Sequence, residues 1–284
     1  MIYTGKTKNL GIIGYPIEHS LSPLMQNAAI KQAALDYNYI AMAVAPQDLS
    51  TAVQGLKSLR FRGFNVTIPH KITILPLLDE IDENAKMIGA VNTVVNSAGN
   101  LYGYNTDFIG FITALKNKNF VIKNKNAVLL GAGGAARAVV WGLIKEGIRS
   151  LTIGVRNPEK VKPLQDIFAA HLLIDVFEWT DKEFINRLQQ TNLLVNTTPL
   201  GMAPHLDQMP PIDWKNIDKT TFVYDLIYTP ETTLFLSQAK ENGNMILNGE
   251  GMLVEQGAAA FKIWTGKSAD TELMAIKLQQ SLQR

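Results

Sequence analysis

The stretch AVLLGAGGAARAVVWGLI, residues 127–144, runs from a short apolar segment through a cluster of glycines into a helical pattern. Gly131, Gly133 and Ala136 occupy the three marked positions of the G-x-G-x-x-G/A fingerprint. There, the first glycine permits a tight turn, the second lets backbone approach a pyrophosphate, and the third small residue lets helix pack against strand. Free N–H groups at the helix start attract phosphate oxygens. The stretch therefore predicts a dinucleotide-binding unit, with a plain strand–helix turn as the alternative.

The end of the next predicted strand indicates which dinucleotide would bind. That strand, residues 151–155, leads into Arg156 and Asn157, and no acidic residue follows before Glu159. NAD sites usually place Asp or Glu about 20 residues after the glycines, where it bonds the ribose 2′-hydroxyl. A planar guanidinium can instead bind a 2′-phosphate and stack on adenine. The pattern favours NADP, with NAD as an alternative cofactor and a solvated arginine as the alternative for Arg156.

Short apolar runs alternate with helical stretches on both sides of this unit, which is the pattern of an α/β fold. The chain has 284 residues, a length that suggests two domains. We expect a substrate domain of residues 1–106 and 249–284, and a Rossmann-type dinucleotide-binding domain of residues 107–248. The predicted strands are 10–15, 37–44, 63–68, 127–130, 151–155, 193–197 and 222–226, with a hairpin of 91–95 and 99–104. The predicted helices are 24–35, 48–59, one that begins at about 106 and ends in a polar turn before 126, 133–145, 158–170, 252–264 and 270–282.

Composition excludes several classes of function. The chain has 27 basic and 25 acidic residues, a balance that gives no electrostatic case for nucleic acid or an anionic membrane. It contains no cysteine, which excludes disulfides and thiolate catalysis. The four histidines are scattered without an i, i+4 pair, so we expect no metal site. The first ten residues lack the apolar core of a signal peptide, and no apolar run is long enough to span a bilayer, so we expect a cytoplasmic protein.

Polar residues lie at or just beyond the ends of the first and third predicted strands. Ser20 and Ser22 precede a helix, where their hydroxyls could donate to a carboxylate, although taken alone they would be read as helix caps. Asn65 and Thr67 alternate with apolar residues, so both face one side of their strand. Lys71 follows shortly after that strand.

A lysine needs help to act as an acid–base group near neutral pH. It requires a lowered pKa or a partner that shares its proton. Asp107 lies at the junction between the first α/β series and the dinucleotide unit, and it could pair with Lys71 beside a substrate hydroxyl. Taken alone, Lys71 would be a surface lysine and Asp107 a helix N-cap.

Eight motifs occur in one order along nearly the whole chain: SLSP (20–23), NVTIPHK (65–71), GAVNT (89–93), GYNTD (103–107), GAGGAA (131–136), NTTPLGM (196–202), YDLIY (224–228) and NGEGMLVEQGAAAF (248–261). Together they resemble the shikimate/quinate dehydrogenase family. NVTIPHK, AVNT and NTD are specific as a set, whereas GAGGAA alone would not be. The resemblance implies reversible NADP-dependent reduction of 3-dehydroshikimate to shikimate, a small-molecule reaction on the path to chorismate and the aromatic amino acids, by a monomer or homodimer.

The resemblance also implies residue roles. Lys71 and Asp107 would be the catalytic pair, with Lys71 passing a proton to the carbonyl oxygen. The substrate would be bound by Ser20, Ser22, Thr67, Asn92, Asp107, Tyr228 and Gln256. The cofactor would contact Gly131, Ala132, Gly133, Gly134, Ala135, Arg156, Asn157, Leu226 and Gly249, with Glu83 as a further candidate.

Two departures from the family pattern leave alternatives open. Many NADP-using members carry Asn-Arg-Thr where this chain has Val155–Arg156–Asn157, and Glu250 is a charged residue to which we assign no role. One alternative is a quinate or dual quinate/shikimate dehydrogenase that uses NAD. A more distant one is a non-catalytic dinucleotide-binding regulator, against which the presence of both Lys71 and Asp107 argues.

Overall fold

The computed structural model describes residues 3–282, which divide into two compact units. One unit comprises the described residues up to Gly110 and from Leu253, and the other comprises Phe111–Met252. Both boundaries lie four residues after those expected from the sequence, at 110 instead of 106 and at 252 instead of 248. The shift arises because one helix runs through each boundary. Residues 1, 2, 283 and 284 of the expected substrate domain lie outside the described residues.

Twelve strands and ten α-helices occur among residues 3–282. The strands are β1 Lys8–Gly14, β2 Tyr37–Ala43, β3 Gly63–Val66, β4 Glu80–Ile81, β5 Thr93–Ser97, β6 Asn100–Tyr104, β7 Asn126–Leu130, β8 Ser150–Val155, β9 Ile174–Glu178, β10 Leu193–Asn196, β11 Phe222–Asp225 and β12 Met245–Leu247. The helices are α1 Ser22–Gln32, α2 Leu49–Ser58, α3 Glu83–Ile88, α4 Asp107–Asn117, α5 Gly134–Lys145, α6 Lys162–Phe168, α7 Lys182–Gln189, α8 Leu234–Asn242, α9 Glu250–Thr265 and α10 Thr271–Leu282. No helix in this part of the chain is both long and apolar enough to cross a membrane.

A six-stranded mixed sheet forms the first unit, in the order β2-β1-β3-β5-β6-β4. Strands β1, β2 and β3 are parallel, whereas β5 runs antiparallel to β3 and to β6. Successive residues of a strand point to opposite faces, and β1 accordingly divides its side chains between two cores. Leu10 and Ile12 belong to a core with residues of α1, α9 and α10, whereas Ile13 packs with residues of α2. The sheet is therefore covered on both faces.

A six-stranded sheet forms the second unit, in the order β12-β11-β10-β7-β8-β9. Every pairing in it is parallel. This is the doubly wound Rossmann order, whose switch point lies between β7 and β10, and ligands bind beyond the carboxyl ends of the strands there. The expected α/β fold class, with a Rossmann-type domain, is confirmed.

The sequence prediction differs from the structure mainly in short elements. It did not include β4, α3, β9, α7, α8 or β12. The predicted helix 158–170 is divided into a 3-10 helix, Pro158–Val161, and the shorter α6, because Pro163 occupies the first turn of α6 and begins a new helix there. Helix α1 begins two residues earlier than expected, with Pro23 in its first turn.

Candidate active site

A lysine and an aspartate that are 36 residues apart in sequence meet in the first unit. Lys71 lies in the turn that follows β3, and Asp107 is the first residue of α4. The Lys71 Nζ atom donates to Asp107 Oδ2 over 2.6 Å. The aspartate side chain is 9% exposed and the lysine side chain 24%, so the ammonium keeps access to a ligand while its partner is buried. This pair can hold and exchange a proton.

An asparagine amide holds the other oxygen of that carboxylate. Asn92 Nδ2 donates to Asp107 Oδ1 over 2.8 Å, and Asn92 Oδ1 accepts from the Thr106 backbone N–H over 2.8 Å. The Asp107 backbone N–H donates to Asn105 Oδ1 over 3.0 Å. Gln256 Oε1 of α9 lies 3.4 Å from Asn92 Nδ2. The start of α4 and two predicted substrate ligands, Asn92 and Gln256, are thus assembled around one carboxylate.

A chain of hydrogen bonds between side chains connects Tyr39 of β2 to Asn92. Ser22, buried at the start of α1, lies near the Tyr39 phenol, and the Tyr39 hydroxyl donates to Asn65 Oδ1 over 2.6 Å. Asn65 Nδ2 donates to Thr93 Oγ1 over 3.0 Å, and Thr93 Oγ1 donates to Asn92 Oδ1 over 2.9 Å. Burial raises the pKa of Tyr39 well above its usual value, and the nearby Ser22 hydroxyl only partly opposes this rise, so the phenol remains a donor. Tyr39, Asn65 and Thr93 were not predicted as site residues, and the structure assigns them to the support of Asn92.

Two predicted substrate ligands lie outside that hydrogen-bond chain. Ser20 and Thr67 are half-buried, and the Thr67 backbone N–H donates to the Ile13 carbonyl over 3.0 Å. The alternative interpretation of the serines as helix caps is not observed, because the N-cap of α1 is Leu21 and no side chain caps this end. His70 is buried, with Nε2 2.7 Å from the Val44 carbonyl oxygen, so it stabilises the turn that carries Lys71.

The glycine loop between β7 and α5 has the geometry that a pyrophosphate requires. Gly131 has φ +98°, and a Cβ there would lie 2.7 Å from Thr198 Cγ2. Gly133 and Gly134 are exposed and have open space beside their Cα atoms. No side chain caps α5, and its first turn contains no acidic residue. Its first N–H groups therefore lack a side-chain acceptor and fit the phosphate oxygens of a dinucleotide.

Arg156 and Asn157 follow β8, the strand next to β7, and both are exposed. Residues 150–158 contain no acidic side chain that could bond a ribose 2′-hydroxyl, and Glu159 lies in the following 3-10 helix. The end of β8 therefore presents a guanidinium and an amide. This composition fits a 2′-phosphate better than a free hydroxyl.

A tight backbone contact brings together the two residues predicted near the nicotinamide. The Gly249 backbone N–H donates to the Ile227 carbonyl over 2.9 Å. A Cβ at position 249 would overlap the Leu226 carbonyl oxygen and lie 2.6 Å from the Leu226 carbonyl carbon. Tyr228 follows directly, and burial raises the pKa of its phenol. Only glycine at position 249 allows this approach.

A buried carboxylate that sequence reasoning missed lies at the end of β11. Asp225 Oδ1 accepts from Asn196 Nδ2 over 3.0 Å and from the Ile227 backbone N–H over 3.1 Å. Its Oδ2 accepts from Thr233 Oγ1 over 2.6 Å. Burial raises the pKa of Asp225 to about 6, although these hydrogen bonds oppose the rise. The signal available in the sequence was an aspartate at a predicted strand end, inside YDLIY.

Glu83, the further cofactor candidate, and Glu250, to which no role was assigned, both lie at helix starts. Glu83 is exposed in the first turn of α3, and its carboxylate accepts from Lys86 Nζ over 2.6 Å. Glu250 is the first residue of α9, and its backbone N–H donates to Asn248 Oδ1 over 3.2 Å. Within residues 3–282, no three His, Asp or Glu side chains are grouped so as to hold a metal ion.

Comparison with known proteins identifies the family. A family model described as the shikimate dehydrogenase substrate binding domain matches residues 12–94. A second, described as the Shikimate 5'-dehydrogenase C-terminal domain, matches residues 249–275. The chain is 44% identical to Shikimate dehydrogenase (NADP(+)) of Gloeothece citriformis, with 99% of each chain covered. The chain belongs to the shikimate dehydrogenase family.

Solved structures of the shikimate dehydrogenase family share the whole fold. A crystal structure of a shikimate dehydrogenase in complex with NADP+ is 41% identical and has a TM-score of 0.93, with 100% of this chain and 98% of the other covered. A quinate dehydrogenase from Corynebacterium glutamicum in complex with NAD is 29% identical and has a TM-score of 0.89, with 96% and 99% covered. Members with different substrates and cofactors thus share one architecture, so substrate choice must be argued from side chains.

Proposed function

We propose that this chain catalyses the reversible NADP-dependent reduction of 3-dehydroshikimate to shikimate, on the path to chorismate and the aromatic amino acids. The observation that carries the proposal is the pairing of Lys71 Nζ with Asp107 Oδ2 at 2.6 Å. It lies in the unit that contains the matched substrate binding domain, residues 12–94. Relatives named Shikimate dehydrogenase (NADP(+)) cover the chain almost completely.

The protein itself contributes a proton to the reaction and holds the proton donor in a fixed position. The cofactor, when bound, supplies the hydride. Lys71 Nζ delivers the proton to the carbonyl oxygen as that oxygen gains charge, and in shikimate oxidation it accepts the proton back. Asp107 compensates the ammonium charge and orients it, while the Asn92 amide fixes the carboxylate at 2.8 Å. A positioned proton donor of this kind typically contributes about 10²–10⁴ in rate.

We propose that polar side chains recognise the ring acid. Ser20 and Ser22 would donate to the substrate carboxylate, and Thr67, Asn92 and Asp107 would bond ring hydroxyls. Each of these groups is buried or half-buried, which supports the assignment, because a ligand that leaves such a group unpaired loses about 1–3 kcal/mol. Two further proposed substrate ligands are Gln256 and Tyr228.

We propose that the second unit holds NADP through residues at the carboxyl ends of its strands. The exposed glycines and the uncapped start of α5 support a pyrophosphate site formed by residues 131–135. The exposed Arg156 and Asn157, without a neighbouring acid, support a 2′-phosphate contact. The close contact between Gly249 and Leu226 supports their placement beside the nicotinamide.

The second candidate function is oxidation of quinate with NAD. A quinate dehydrogenase with NAD shares the fold at 29% identity, so the fold alone does not separate the two. Arg156 favours NADP, because a guanidinium pairs with the 2′-phosphate of the adenosine ribose, which NAD lacks. The non-catalytic regulator is disfavoured, because a dinucleotide-binding protein without turnover has no use for a paired lysine.

One assay tests the proposal directly. Purified protein is mixed with shikimate or quinate and with NADP or NAD, and reduced cofactor is followed by absorbance. We expect the highest kcat/KM with shikimate and NADP, whereas turnover of quinate with NAD alone would overturn the proposal. Lys71→Ala should lose most turnover but still bind NADP, and an unchanged kcat would remove Lys71 from the mechanism.

Location and assembly complete the proposal. We propose a cytoplasmic location, which the absence of cysteine supports because a chain without disulfides needs no oxidising compartment. We also propose that the protein is a monomer or a homodimer. Cell fractionation tests the location, and light scattering of the purified protein over a range of concentrations tests the assembly.

A further inference from the structure

A basic pocket lies in the first unit, apart from the groups assigned above. It has a volume of about 550 Å³. Four cationic side chains line it, together with polar and backbone groups of the β5–β6 hairpin: Lys8, Lys57, Arg60, Arg62, Asn96 and Gly99. No acidic side chain is among the lining residues. In a chain whose formal net charge is only +2, this is a marked local excess of positive charge.

Most of this charge is not neutralised within the protein. Lys57 Nζ forms an ion pair with Asp79 Oδ2 at 3.0 Å, outside the lining. Lys8, Arg60 and Arg62 form no ion pair with any residue in the described range 3–282. Lys8 Nζ instead lies 5.4 Å from the centre of the Tyr37 ring. The pocket therefore carries about three positive charges that no carboxylate of residues 3–282 neutralises in an ion pair.

The Arg62 guanidinium is held by two hydrogen bonds and has further N–H groups available to a ligand. Its Nε donates to the Trp264 carbonyl over 3.2 Å, and its Nη1 donates to the Asn96 carbonyl over 3.1 Å. A guanidinium has five N–H groups in a planar fork, so three remain for a ligand. Fixing the fork in advance lowers the entropy cost of binding an oxyanion. This is a prepared donor group and not a freely moving surface arginine.

The backbone of Arg60 also has a conformation that is uncommon for residues other than glycine. Its φ is +56°, at the end of α2, in the left-handed conformation where glycine or asparagine is usual. An ordinary side chain in this conformation is disfavoured. Glycine at position 60 would suit the backbone better, and arginine there places a cation at the pocket instead.

We propose that this pocket binds a compact phosphate-bearing polyanion, such as a pyrophosphate or a small phosphorylated metabolite. Guanidinium forks match phosphate oxygens in geometry, and several clustered cations favour a multiply charged ligand over a monocarboxylate. A pocket of this volume admits a small molecule. A formal net charge of +2 gives no electrostatic case for a nucleic acid as the ligand. This proposal is independent of the proposed dehydrogenase activity.

The site can be tested with pyrophosphate as the probe. The full-length protein is saturated with NADP, which occupies the phosphate-binding groups of the second unit, and is then titrated with pyrophosphate in a calorimeter at constant ionic strength. We expect saturable binding, with weaker binding of orthophosphate. The double variant Lys8→Gln/Arg60→Gln should weaken the affinity about tenfold, since each exposed cation contributes about two- to fivefold. Arg62 is left intact because it also holds two backbone carbonyls.

A matched control separates this pocket from general surface charge. Lys31→Gln/Lys262→Gln removes two exposed cations of the same unit that do not line the pocket. It should bind pyrophosphate like the unchanged protein, and both double variants should keep the urea midpoint and the turnover of the unchanged protein. Absence of saturable binding in the unchanged protein, or equal weakening in the two double variants, would overturn the proposal.

Discussion

Replacing Asp107 by asparagine tests whether the carboxylate orders the proton donor. Both oxygens accept from donors: Lys71 Nζ at 2.6 Å on Oδ2, and Asn92 Nδ2 at 2.8 Å on Oδ1. An amide has the same shape but only one oxygen. Whichever way it is turned, its NH₂ group faces a donor. Residue 107 is only 6% exposed, so water cannot readily replace the missing acceptor.

The magnitude follows from that geometry. One buried donor without an acceptor costs about 1–3 kcal/mol, so the free energy of unfolding of Asp107→Asn should fall by that amount. The variant also loses the charge that holds the Lys71 ammonium, so kcat for shikimate oxidation should fall by about 10²–10⁴. The affinity for NADP should persist, because the residues proposed to bind it belong mainly to the glycine loop and to the segment after β8.

Three measurements check these values: initial rates of NADPH formation, urea unfolding, and NADP titration by protein fluorescence. Glu146→Gln is the control, because its carboxylate also accepts from a lysine, Lys116, over 2.8 Å but lies in the second unit. It should leave kcat and stability nearly unchanged, as exposed ion pairs contribute little. The reasoning would be refuted if Asp107→Asn kept the kcat of the unchanged protein.

Three further predictions concern the second unit and its cofactor. Arg156→Asp should weaken NADP binding far more than NAD binding in titrations, and equal losses would contradict the phosphate contact. Gly249→Ala should lower kcat and stability because its Cβ overlaps Leu226 backbone, whereas Gly55→Ala, with open space in α2, should stabilise by about 0.5–1 kcal/mol in urea unfolding. The raised pKa of Asp225, about 6, favours its neutral form in the folded state. Its contribution to stability is thus fully present below about pH 4 and lost as pH rises through about 6, by about 3 kcal/mol. Unfolding of Asp225→Asn should lack this dependence, and a constant difference between variant and unchanged protein from pH 4 to 7 would refute it.

Local sequence signals were sufficient for the strand, the glycine loop and the helix at the start of the Rossmann sheet. A buried parallel strand followed by glycines and a helix is specified by neighbouring residues, and β7, the glycine loop and α5 lie within two residues of their predicted bounds. The missed helices are short, with few apolar positions to reveal a period. Two of them nevertheless carry local signals at both ends: Asp82 and Gly89 cap α3, and Thr233 and Gly243 cap α8.

The boundaries between the units were less accessible to sequence reasoning. Helices α4 and α9 each begin in one unit and end in the other, and their apolar periodicity continues without interruption across positions 110 and 252. No turn or change of composition marks those positions, because the helical hydrogen bonds continue through them. Only the contacts made along each helix show where one core ends and the other begins.

The sequence by itself determined the fold class, the glycine loop, the strand-end Arg156 and, through its motifs, the family to which the chain belongs. These depend on neighbouring residues or on short motifs. The tertiary structure alone decided that Lys71 Nζ meets Asp107 Oδ2, and that Tyr39 is linked to Asn92 through two buried side chains. It also revealed the buried Asp225 and the basic pocket around Arg62. Hydrogen bonds and uncompensated charges of this kind depend on distances between residues far apart in the chain, which only folding brings within reach.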